Sequence, residues 1–147
     1  IGACVTLGGA IDPARFTPMP VTAQVKLLSD GRSRLETMKI ALDAGPTAVL
    51  TWDNFTVVVF SKTLSLFDRA MYFSNGINPQ DFDLIVVKSP HTEHHMFEAW
   101  ADCNFNVDVA GATSANLPTL GHTICARPVY PLDADVSFEP QATLYTR

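Results

Sequence analysis

The sequence predicts a mixed α/β domain, with an antiparallel β-rich first half followed by a βαβαβ unit in one single domain. Three observations carry that expectation. Hydrophobic alternation of period two dominates the first sixty or so residues, as in strands with one buried face. Beyond Phe67, short continuous apolar runs alternate with helically spaced segments. The chain has 147 residues, 47% of them hydrophobic and 17% charged, which is enough for one core and too few for two comfortable ones.

VTAQVKLL (21–28) alternates, with Val21, Ala23, Val25 and Leu27 on one face and Thr22, Gln24 and Lys26 on the other. SDGR (29–32) supplies a turn centred on Asp30-Gly31. Between Ser33 and Ala44 the pattern is ambiguous. Leu35, Met38 and Leu42 fit a helical stripe, but KIALDAGP also reads as a short strand, and strand is preferred. TAVLTW (47–52) and FTVVVFSK (55–62) are rich in β-branched and aromatic residues. Only Asp53-Asn54, both tolerant of positive φ, separates them, so they form a hairpin.

Phe67–Ser74 reads as a short helix opened by Asp68 and Arg69 and capped near Asn75-Gly76. LIVVK (84–88) is apolar throughout, as in a strand covered on both faces. A helix over Pro90–Asp102 and a strand at FNVDVA (105–110) complete the βαβαβ pattern. From about residue 128 the prolines of RPVYPLD point to an extended tail, with Arg127 anchored to a carboxylate.

Composition excludes several functions. A net charge of −5 with no basic run argues against nucleic acid. No apolar run is long enough to span a bilayer, and no signal-peptide pattern is present. Cys4, Cys103 and Cys125 are widely spaced without a C-x-x-C, so buried, reduced thiols and a cytoplasmic location are expected. The chain opens at Ile1 directly into strand-like sequence, as a domain cut from a longer protein would.

The candidate site is HTEHH (91–95) with the two residues that lead into it. Ser89 suits an N-cap and Pro90 the first helical position. On that helix His94, Phe97 and Ala101 face inward, while His91, His95, Glu98 and Asp102 share the opposite stripe. Two histidines four apart satisfy helical zinc spacing, but the pattern is H-x-E-x-H, and His122 is the only histidine outside the segment. No zinc set closes, and no cofactor is expected on this chain. Lys88-Ser89 instead stands where a central strand ends and a helix begins, the usual ligand position in open α/β sheets. Lys88, Ser89, His91 and His95 are therefore the expected substrate-binding residues. The competing reading gives Lys88 and Ser89 only snorkelling and capping roles, and the histidines a solvated face. No catalytic residue is assigned, since no serine or cysteine is set up as a nucleophile.

LGGAIDP (7–13), the SDGR turn, AGPTAVL (44–50), FDLIVVKSP (82–90), Phe97 and RPVYPLD (127–133), taken in order, resemble the C-terminal domain of the MlrC family of microcystinase-like zinc metallopeptidases. The resemblance runs along nearly the whole of residues 1–147. It implies a two-domain hydrolase of peptides or other amides, whose zinc ligands belong to a catalytic N-terminal domain not included in this chain. This chain would line part of the substrate cleft and be inactive alone, with the N-terminal domain as partner; a homo-oligomer is also allowed. Two positions depart from the family pattern: Ala10, where a basic residue is usual, and HTEHHM, where one histidine precedes an aromatic. The alternative is a stand-alone binding or assembly module without catalysis. An exposed apolar patch around Phe16 and Met19 would favour the domain with a missing partner.

Overall fold

The computed structural model describes residues 1–14, 16–64, 68–87, 97–109, 116–137 and 139–145. The chain divides into two compact units, Ile1–Phe105 and Asn106–Arg147. The first holds every strand found among the described residues. These are β1 (Gly2–Leu7), β2 (Met19–Ser29), β3 (Arg32–Arg34), β4 (Ala41–Asp43), β5 (Thr47–Trp52) and β6 (Phe55–Phe60). Four of them form an antiparallel sheet in the order β1-β2-β5-β6, and β3 pairs with β4 in a second, two-stranded ladder. Mixed class and a strand-rich first half are thus observed.

Alternation works as expected along β1 and most of β2. Ala3, Val5 and Leu7 are the partly buried residues of β1, and Val21, Ala23 and Val25 those of β2. A bulge then intervenes: Val25 pairs with Leu50 and Leu27 with Val49. Adjacent residues of β5 point to opposite faces, so Leu27 leaves the face on which Val25 lies. The β5–β6 hairpin turns at Asp53, at φ 45, and Trp52 stacks on Phe55 across it with ring centroids 5.5 Å apart.

Two glycines explain how one long ribbon becomes two ladders. β2 leads into β3 through Gly31 (φ 71), and β4 leads into β5 through Gly45 (φ 66). The main chains touch there. The Ala44 N–H donates to Gly31 O at 2.9 Å, and a Cβ on Gly31 would stand 2.0 Å from Gly45 O. Only residues lacking Cβ permit both the positive φ and this approach.

The ambiguous stretch 33–44 is a hairpin, β3–β4, as preferred. Leu35 and Leu42 turn into a core with Ala44, Met71, Phe60 and Leu64, while Met38 is exposed at the tip, where a helical stripe would have buried it. Against this core lies the short helix α1 (Ala70–Phe73). Asp68 opens it by accepting from Ala70 N at 2.9 Å. Gly76 closes it as expected, with Gly76 N bonded to Phe73 O and Ile77 N to Tyr72 O. Ser29 Oγ donates to Asn75 Oδ1 at 3.1 Å, tying the helix end to β2.

The βαβαβ unit is not formed among the described residues. Residues 84–87 and 105–109 belong to no ladder, and Leu84, Val86, Phe105, Val107 and Val109 are largely exposed. Strand propensity is a tendency to pack on a pleated surface and needs a paired neighbour. Among the described residues, neither sheet edge, β1 or β6, is extended by these segments. The cysteines are a second correction: all three are free but exposed. For Cys4 the reason is β1 itself, whose period of two buries Ala3 and Val5 and turns the residue between them outward.

The second unit contains a 3-10 turn at Leu117–Leu120. Its Arg127 meets a carboxylate as anticipated: Nε and Nη2 donate to the two oxygens of Asp133, and Val129 N donates to Asp133 Oδ2 at 2.7 Å. The result is a closed turn, with Asp133 N bonded to Val129 O, where an extended tail was expected. The guanidinium and the Val129 N–H together hold the Asp133 carboxyl below the usual carboxylate range.

Candidate functional site

Lys88, Ser89, His91 and His95 lie outside the described residues, as does His94. Both flanks of this segment are described, and both meet α1. On the leading side, the Tyr72 hydroxyl donates to Val86 O at 3.4 Å. Burial pushes that phenol up to about 12, so it keeps its proton over any ordinary pH range.

On the trailing side, residues 97–100 make one turn, with Trp100 N and Ala101 N both bonded to Phe97 O at 2.9 and 3.0 Å. Phe97 is buried, matching the inward face assigned to it. Trp100 lies edge-on to Phe97 and tilted against Phe73, with ring centroids 6.2 and 5.6 Å apart. The Arg69 guanidinium rests over the Trp100 ring, 4.1 Å from its centroid. That guanidinium is itself fixed by Glu36, which accepts from Nε at 2.9 Å and from Nη2 at 2.7 Å. A bidentate carboxylate on one side and an aromatic face on the other leave Arg69 little freedom.

The base of α1 is similarly tied to the β3–β4 loop. Asp68, only 2% exposed, accepts from Thr37 N at 3.1 Å and Thr37 Oγ1 at 3.3 Å in addition to Ala70 N. One short helix therefore contacts the described residues on both sides, Val86 and Trp100, and the β3–β4 loop holds that helix. The sequence marks Asp68 only as a dipole partner and Arg69 only as part of the helix start, and it singles out neither Glu36 nor Tyr72. Glu36 and Arg69 are 33 positions apart, and no local pattern signals a pair at that separation.

No three His, Cys, Asp or Glu side chains among the described residues are placed to hold a metal ion. No helix among the described residues is long and apolar enough to cross a membrane.

Fold and flanks define a strand-rich mixed domain in which a short helix contacts Val86 and Trp100. The family model described as the MlrC C-terminus matches residues 2–123, and the chain belongs to that family. The description implies a partner domain on the N-terminal side. No curated protein and no solved structure matches the chain.

Proposed function

We propose that this chain is the C-terminal domain of an MlrC-like zinc-dependent peptidase or amidohydrolase, and that it forms part of the substrate cleft. The N-terminal domain carries the metal, which polarises the scissile carbonyl and activates water. Lys88, Ser89, His91 and His95 line the cleft and orient the peptide or amide, with Lys88 as a point charge for a substrate carboxylate. Residues 84–88 and 105–110, strand-like in sequence, gain their pairing partners in the two-domain protein.

The observation that carries this reading is apolar surface with nothing over it. In the loop from β1 to β2, Ile11 is 100% exposed and Phe16 40%, and Met19 at the start of β2 is 50% exposed. Three exposed large apolar side chains within nine residues of sequence are what a surface covered by a partner domain would offer. The test is association of this chain with the separately produced N-terminal domain, followed by sedimentation. Binding weakened at least about tenfold by Ile11→Asp or Phe16→Asp, roughly the 1.4 kcal/mol expected of one lost apolar contact, supports the reading. Association that neither variant alters, or no association at all, leaves the stand-alone binding module as the better account.

A further inference from the structure

The loop joining β3 to β4 and the outer side of α1 line an open groove of about 480 Å³. That volume falls within the range of small-molecule sites, roughly 300–1,000 Å³. Its walls are apolar where Leu35, Ala70 and Phe73 line it, and its rim carries Arg34 and Lys39. The one carboxylate on the lining, Glu36, is already engaged by Arg69 through two hydrogen bonds. Among the described residues, the Lys39 ammonium has no acidic partner. The groove thus presents apolar walls beside positive charge that no described carboxylate neutralises.

The rim is also rigid. Leu35 N bonds Ile40 O at 2.9 Å, Lys39 N bonds Leu35 O at 3.1 Å, and Arg34 Nε donates to Lys39 O at 2.9 Å. Lys39 holds φ at 57°, a backbone state uncommon outside glycine, asparagine and aspartate, and frequent at binding loops. Pre-organisation of this kind lowers the entropy lost on binding.

We propose that this groove binds a small carboxylate with an apolar body. The body packs on Ala70 and Phe73, and the carboxylate is held by Lys39 and by the guanidinium nitrogens of Arg34 that face away from the loop carbonyl. The proposal is independent of the partner-domain reading, because it concerns a groove within the Ile1–Phe105 unit.

Calorimetric titration of the whole chain tests it with two acids and their neutral counterparts: decanoate against decanol, and N-acetylphenylalanine against its amide. Saturable binding of at least one acid, with its neutral counterpart at least tenfold weaker, is expected. Tighter decanoate identifies a lipid-like ligand, and tighter N-acetylphenylalanine a peptide carboxyl terminus. Lys39→Asn, which keeps the backbone conformation and removes the charge, should weaken the preferred acid about tenfold. Equal binding of acid and neutral form, no saturation by either acid, or unchanged affinity in a folded Lys39→Asn chain would overturn the proposal. The comparison of acid with neutral form uses the unaltered chain and decides the matter even if the variant fails to fold.

Discussion

Replacing Gly31 by alanine should be among the most damaging single changes available in the first unit. Two costs add. Holding a residue with a Cβ at φ 71 costs about 1–2 kcal/mol. The new Cβ would also stand 2.0 Å from Gly45 O and 2.6 Å from Thr47 Oγ1, closer than atoms can pack. The obstruction is main chain, so the β2–β3 and β4–β5 connections must separate. Separation breaks the Ala44 N–Gly31 O bond and disturbs the buried Thr47 Oγ1–Gly45 O bond of 2.8 Å. Disrupting such bonds costs about 1–3 kcal/mol when the groups remain buried. The sum is about 2–5 kcal/mol, a large share of the roughly 5–15 kcal/mol that a domain possesses. Gly76→Ala is the control: its φ is 69, but no atom lies within 4 Å of the added Cβ, so only the conformational cost of about 1–2 kcal/mol applies. Urea unfolding followed by circular dichroism measures both. A Gly31→Ala loss no larger than that of Gly76→Ala would refute the argument that the close approach of the two connections bends the ribbon.

Three further outcomes are expected. Asp68→Ala should cost about 1–2 kcal/mol in the same unfolding assay, because it removes the buried acceptor of Thr37 N and Ala70 N; a loss under about 0.5 kcal/mol would contradict that role. Arg69→Lys should abolish the two-pronged bond to Glu36 and the stacking on Trp100, red-shifting tryptophan emission and lowering stability by about 1–2 kcal/mol. An unchanged spectrum would count against the brace. Asp133 has a lowered folded-state pKa, so its contribution to stability is present above the ordinary carboxylate pKa and fades as pH falls through the folded value. A carbon-detected NMR titration should place its midpoint below the ordinary value of about 3.9, and Arg127→Gln should raise it.

The first half of the fold was legible because its signals are local. Alternation in 21–28, the Asp30-Gly31 turn and the Asp53-Asn54 hairpin each reside within a few residues, and each is observed. Leu27 escaped because a bulge resets the phase of a strand without altering its composition. The second half was less legible because a run such as LIVV is apolar whether or not a neighbouring strand exists to pair with it. The contacts around Arg69 were illegible for a similar reason: Glu36, Arg69 and Trp100 meet through the tertiary fold, from three separate parts of the chain. The family resemblance, by contrast, was spread over six stretches in order; five of them fall within the family match over residues 2–123, and RPVYPLD (127–133) lies beyond it.

The central claim is that this chain supplies cleft wall and orientation while its partner domain supplies the metal chemistry. The most direct measurement is zinc-dependent hydrolysis of a peptide substrate by this chain alone, by the N-terminal domain alone, and by the two mixed in equal amounts. The account predicts no turnover from this chain, and turnover by the mixture above that of the N-terminal domain alone, reduced by His95→Ala or Lys88→Ala. Zinc-dependent turnover by this chain alone, lost with His91→Ala, would contradict it and make HTEHH a catalytic metal site in its own right.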